Sequence, residues 1–189
     1  MFLLVTDGRV RLSRVNPAVR KDPLSAVPAD AWGRLVPSGS APMMSHLWVR
    51  TAAEVYARGR PAQVLLVGPP EVPRAAAALY APGDSPGTLR FLGALGLGES
   101  VDVPAGSDDA LADLAGGLWS LGVPVDLGHL PTDTRLLRHL RHTKPVGAML
   151  AVRSRPERGL PGLALAGDWT DPARAIGRKR RQPLARKRR

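Results

Sequence analysis

Proline and glycine break this chain too often for long helices: there are nineteen of the first and twenty of the second in 189 residues. An interior proline removes a helical hydrogen bond and clashes with the preceding turn, and an interior glycine gives up backbone entropy. The punctuation favours short elements joined by many turns over a long bundle. With 44% apolar residues, the chain still has enough to bury for one ordinary domain with a core, or one domain and an appendage.

The runs between breaks alternate in character. Val10–Val15 alternates apolar and polar residues as a half-buried strand does. A short helix is expected over Pro28–Val36, with Trp32, Leu35 and Val36 on one face. Ser45 reads as the N-cap of a helix reaching Arg58, whose buried stripe would be Trp48, Ala52, Val55 and Tyr56, with Gly59 as its stop. Val64–Val67, aliphatic and followed by Gly-Pro-Pro, suits a buried strand. Arg74–Tyr80 is open: its alanines favour helix, while Pro82-Gly83 and Pro86-Gly87 leave room for a strand and hairpin.

Thr88–Leu92 and Ser100–Val103 read as further strands, after a loosely ordered start over residues 1–14. Ser107 caps a helix with Asp108 and Asp109 in its favourable first turn and Leu111, Leu114, Ala115 and Leu118 as core stripe, weakened by Gly116-Gly117. Val123–Leu127 is a strand, Thr132 caps a helix built on Leu136, Leu137 and Leu140, and Val146–Val152 is the next strand. The body is thus one α/β or α+β domain without a detectable repeat. Trp32, Trp48, Leu111, Leu114, Leu118, Leu136 and Leu140 are predicted to be mostly buried.

Charge divides the chain. Pro172–Arg189 carries nine Lys or Arg and no acid, whereas the preceding residues hold eighteen bases against sixteen acids. The net +11 is therefore mostly local. Such a run suits a nucleic-acid arm, a membrane-surface contact, or the basic face of a helix that continues in a longer chain. Arg178, Lys179, Arg180, Arg181, Arg186, Lys187, Arg188 and Arg189 are the candidate polyanion contacts. No aromatic residue lies among them to stack on bases, so binding through them would be non-specific. The apolar start Met1–Val5 is too short for a signal h-region, and no run reaches the roughly 20 apolar residues of a spanning helix. These features and the lack of cysteine fit a soluble, cytoplasmic protein.

Candidate chemistry is sparse. Without cysteine there is no disulfide, thiolate nucleophile or thiolate metal site. His139 and His142 share a short helix with Arg138 and Arg141, a cationic setting that opposes a metal, while His46 and His129 stand alone, so no metal site is predicted. No Gly-x-Ser-x-Gly elbow frames a nucleophile. The glycine run Gly93–Gly98 invites a phosphate-loop reading, but Val101 stands where a dinucleotide fingerprint needs glycine. An acetyl-CoA pyrophosphate loop starting at Arg90 and Gly93 fails at Leu95. Both sites also need a helix rising directly from the glycines, so a turn between strands is the better reading. Leu160–Thr170 has a passing likeness to the end of flavin-dependent amine oxidases, discarded because no amino-terminal glycine fingerprint accompanies it.

Taken in order, six pieces form a pattern: Asp30-Ala31-Trp32-Gly33-Arg34-Leu35, Pro42-Met43-Met44-Ser45-His46-Leu47-Trp48-Val49-Arg50, Leu89-Arg90-Phe91-Leu92-Gly93, Val125–Thr134, Gly167-Asp168-Trp169 and Gly177–Arg181. The pattern resembles CelD/BcsL-type members of the GNAT acyltransferase superfamily, which are related to the FemAB transferases. The resemblance implies a single GNAT-like (acyl-CoA N-acyltransferase-like) lobe over residues 15–166, a mixed sheet flanked by helices, and a basic connecting helix or tail over 167–189.

In such proteins a second lobe follows the basic helix and is expected to hold the acyl-CoA and acceptor sites. The resemblance therefore makes this chain the first lobe, inactive alone, with acetyl-CoA or another acyl-CoA as the family's cofactor and a second GNAT-like lobe or homologous partner as its complement. No catalytic or cofactor-binding residue carries over. Pro172 and Pro183 depart from the family's helix, since an interior proline costs ~3 kcal/mol there. The alternative is a small basic protein that binds nucleic acid or anionic surfaces through its tail.

Overall fold

The computed structural model describes residues 2–5, 18–57, 59–85, 87–92, 102–131, 133–145 and 150–153. The chain divides into two units, and all of these residues belong to the first, Met1–Glu157; the second, Arg158–Arg189, lies outside the described residues. The elements in order are β1 (Phe2–Val5), β2 (Val19–Pro23), α1 (Ala29–Leu35), α2 (His46–Tyr56), β3 (Gln63–Val67), β4 (Ala75–Tyr80), β5 (Leu89–Phe91), α3 (Asp108–Ser120), β6 (Val125–Asp126), α4 (Arg135–His142) and β7 (Leu150–Arg153). The domain is α/β, with one mixed sheet flanked by helices.

The strands line up as β2-β3-β4-β5-β6-β1-β7. Neighbours are antiparallel throughout, except that β5 and β6 run parallel. A parallel pair needs a crossover, and α3 lies in that connection. β3 and β4 are apolar on both faces because both are covered. Val64, Leu66, Ala76, Ala78 and Tyr80 join Trp32, Leu35, Val49 and Ala52 in one core, whereas Leu65, Val67, Ala75, Ala77 and Leu79 join the α3 and α4 leucines in the other. Doubly covered strands lose the polar alternation of a half-exposed sheet.

That double burial settles Arg74–Tyr80, where every residue from Ala75 to Tyr80 is buried in strand. Six residues before Pro82 are too few for a self-supporting helix, and pairing with both β3 and β5 satisfies their backbone. β2 has no counterpart among the expected strands, because Arg20, Lys21, Asp22 and Pro23 disguise it. It is an edge strand, where charge and proline blunt further pairing. Phe2–Val5, expected within a loose start, instead pair with both β6 and β7.

The helix starts follow side-chain chemistry. Ser45 Oγ accepts from the Trp48 amide at 3.2 Å and Ser107 Oγ from the Ala110 amide at 3.2 Å, as their sequence positions predict. For α4 the cap is Thr134, whose hydroxyl oxygen accepts from the Leu136 amide at 3.3 Å and whose proton goes to Asp102 Oδ1 at 2.8 Å. The expected cap, Thr132, lies outside the described residues. The Val10–Val15 strand, the residues 146–149 that would open the strand ending at Val152, and the Gly93–Gly98 run also lie outside them. Asp102 and Val103 are not in a strand, contrary to expectation; only Ala105 bridges to Ala75.

α2 differs from its predicted register. Its buried residues are Val49 and Ala52, while Val55 and Tyr56 are exposed and Trp48 is only partly covered. The neighbouring layer is already filled by Trp32, buried and donating its indole N–H to the Met44 carbonyl at 2.8 Å. Small residues on α2 let the helix approach that layer; large ones would hold it off. α3 keeps its predicted stripe and adds Trp119, whose indole N–H donates to the Leu140 carbonyl at 3.0 Å and ties α3 to α4.

Candidate functional site

Beyond Ala78 the sheet face that carries α1 and α2 turns polar. Tyr80 is the register partner of Arg90 across β4 and β5, and Arg90 that of Asp126 across β5 and β6. All three point to one face, since their neighbours Leu79, Phe91 and Val125 belong to the core under α3 and α4 and side chains alternate along a strand.

Arg90 is the centre of this row. Its guanidinium lies 3.4 Å from the Asp84 carboxylate and 3.7 Å from Asp126, and it donates to Ser85 Oγ at 3.2 Å. Burial pulls its pKa down, but the neighbouring Tyr80 hydroxyl and the carboxylates of Asp84 and Asp126 outweigh burial, so the net shift is upward. Both ion pairs are longer than the ~2.7–2.9 Å of a tight charge-assisted hydrogen bond. Arg90 is thus held charged among several acceptors.

This row borders a cleft of about 630 Å³. It is lined by Tyr56 at the end of α2, Arg60 just after it, Tyr80 of β4, Pro82 and Asp84 of the following turn, and Arg90 of β5. Arg60 is anchored by its Nη1, which donates to the carbonyls of Ala81 at 3.3 Å and Pro82 at 3.1 Å. The arginine lies along that turn, where a Cβ on Gly83 would stand in ordinary contact with Nη2 at 3.5 Å.

The histidines do not converge. His46 packs edge-on to Trp32, with ring centroids 6.0 Å apart. Its pKa is depressed, first by burial and then by the nearby Arg50 charge, against a raising contribution from the Val27 backbone. Its Nε2 is buried without a hydrogen-bond partner among the described residues. His139 Nε2 stands 3.6 Å from Asp108, His142 Nδ1 is 2.8 Å from the Arg138 carbonyl, and His129 sits at the end of β6 with φ 62°. Among the described residues no group of three His, Cys, Asp or Glu side chains gathers as a metal would need.

Arg90, the residue that would open an acetyl-CoA pyrophosphate loop, faces carboxylates instead. The α3 N-terminus carries Asp108 and Asp109 in its first turn, so it presents negative charge where a phosphate would dock. The basic residues Arg178 to Arg181 and Arg186 to Arg189 lie outside the described residues. No helix among the described residues is long and apolar enough to cross a membrane. No protein-family profile, no curated protein and no solved structure matches this chain.

Sequence reasoning missed the cleft, because its walls come from segments that only strand pairing brings together. A signal was present: Arg90 lies inside the apolar run Thr88–Leu92 and Asp126 inside Val123–Leu127. A charge inside a short buried strand has to find a partner.

Proposed function

We propose that the described domain is a GNAT-like lobe of the CelD/BcsL type, acting as the first lobe of a tandem acyltransferase and holding no acyl-CoA site of its own. The observation that carries this reading is the strand order: an antiparallel run β2-β3-β4-β5, then the α3 connection to β6, the one parallel neighbour among the described strands. A mixed sheet with helices on both faces is the layout such a lobe implies. Arg90, where the loop would begin, is already paired with Asp84 and Asp126, and α3 opens on two acids, which supports the second half of the reading. Acyl transfer would then belong to the second lobe, and the basic segment near residues 167–189 would lead toward it.

Titration calorimetry of the chain with acetyl-CoA tests this. Weak binding that fades as salt rises is expected, because it would come from the tail's charge. Micromolar binding that persists at physiological salt and after removal of residues 172–189 would sink the reading.

A second reading rests on the charge segregation: nine bases without an acid in Pro172–Arg189 would capture nucleic acid by counterion release. Sequence-selective binding of DNA or RNA at physiological salt would favour it over the linker role.

A further inference from the structure

We propose that the cleft between the end of α2 and the β4–β5 turn binds a small organic oxyanion, a carboxylate or phosphate ester, with the anionic group on Arg60 and the body of the ligand against Tyr56 and Pro82. The inference goes beyond the lobe assignment and does not depend on it.

The first argument is shape. The cleft's volume, about 630 Å³, falls within the roughly 300–1,000 Å³ of small-molecule sites. It is also built from fixed parts. Arg60 is pinned through Nη1 to two backbone carbonyls, Tyr80 is buried, and Arg90 is held by Asp84, Asp126 and Ser85. A preorganised site loses little side-chain freedom on binding.

The second argument is the balance of donors and acceptors. Pinning Arg60 through Nη1 leaves its Nε and Nη2 hydrogens without a partner among the described residues. Tyr80 lines the cleft beside Arg90 and brings a phenol to it. Tyr56 at the rim offers a second phenol. Against these donors the lining supplies one carboxylate, Asp84, already shared with Arg90. A wall rich in donors, with two guanidiniums and one acid, selects an acceptor-rich anion. Ala57, Pro82 and the phenol faces give that anion an apolar body to lie against.

Nuclear magnetic resonance titration of the full chain with phenyl phosphate, benzoate and inorganic phosphate at physiological salt tests the proposal, because each residue reports separately and the basic tail cannot be mistaken for the cleft. Phenyl phosphate or benzoate should shift the Arg60 Nε–H and the Tyr56 ring signals, and inorganic phosphate should bind more weakly for want of a body. Whichever of the first two binds tighter identifies the ester or the carboxylate. Arg60→Gln should weaken binding by about tenfold or more, the loss of one charged hydrogen-bonding partner. Asp84→Asn should instead strengthen it, by removing the competing carboxylate, and a gain cannot be produced by a protein that has failed to fold. Shifts confined to tail residues, an Arg60→Gln variant that binds as well as the parent, or a weaker Asp84→Asn variant would each overturn the proposal.

Discussion

Gly117 of α3 and Val19 of β2 approach so closely that a Cβ on Gly117 would fall 2.4 Å from Val19 Cγ1. Helix and edge strand touch at that point, with Leu65 Cδ2 at 3.2 Å on the same side. In the sequence the pair Gly116-Gly117 reads as a weakness in a helix; in the fold the second glycine is what lets the helix lie down on the sheet.

Gly117→Ala is therefore expected to destabilise the domain by ~1–3 kcal/mol through overpacking, although alanine gains up to about 1 kcal/mol in helix propensity. Combining it with Val19→Ala should recover part of the loss. Denaturant melts of the single and double variants check this; a more stable Gly117→Ala protein would show that α3 stands off the strand.

Leu114→Ala should cost ~2–5 kcal/mol, from lost transfer energy plus the cavity left behind, since Leu114 is fully buried on the face α3 turns to the sheet. A cost below ~0.5 kcal/mol would mean that α3 packs by another face.

The register of α2 makes opposite forecasts for two valines. Val49 is 2% exposed and Val55 is 57% exposed. Val49→Ala should lose ~1.5–3 kcal/mol of burial, and Val55→Ala should stay within about 0.5 kcal/mol of the parent. Equal effects in thermal or denaturant melts would restore the stripe drawn from Trp48, Ala52, Val55 and Tyr56.

Stability should fall in mild acid through His46. Its folded pKa lies below the ordinary 6.5 because burial and the Arg50 charge disfavour the imidazolium. The unfolded chain then binds the proton more readily, so stability drops as pH falls through the unfolded pKa and stops dropping below the folded one. His46→Gln should flatten that part of the profile. Melts at about pH 8 and about pH 5 that change equally in the parent and His46→Gln proteins would assign the acid sensitivity elsewhere.

DNA affinity carried by the tail should decline with salt at a log–log slope of ~0.9 per phosphate neutralised and ignore sequence. Removing residues 172–189, which hold nine of the chain's 27 Lys and Arg, should abolish it. Filter binding on unrelated duplexes at two salt concentrations would reveal either behaviour.

The parts of the fold legible in the sequence were those decided by local chemistry. The caps Ser45 and Ser107, the aliphatic run Val64–Val67 and the leucine stripe of α3 are each fixed by neighbours a few residues away. Illegible parts were decided by pairing across the chain. β2 looks like a polar loop until β3 is laid beside it, and Ala75–Ala78 has helix-forming residues that only burial on both faces turns into strand. Trp48 misled for a similar reason, because its size suggested an interior place already taken by Trp32. The cleft was hidden further still, since Arg60, Tyr80 and Arg90 meet only once β4 and β5 have paired.

The placement of β1 has a consequence for how the protein is made. Phe2 has Asp126 on one side and Arg153 on the other, so this strand leaves the ribosome long before either partner exists. The β2–β5 meander can zip up as it emerges, one neighbour after the next. Phe2–Val5 must wait, apolar and unpaired, until β6 and β7 have been synthesised to hold them. Joining segments so distant in sequence is slow because the loop entropy is spent before the contacts form, and a waiting apolar strand is open to the wrong partner. Closing the sheet is therefore the step most exposed to error during biosynthesis, and a chaperone that shields the waiting strand would act on that step.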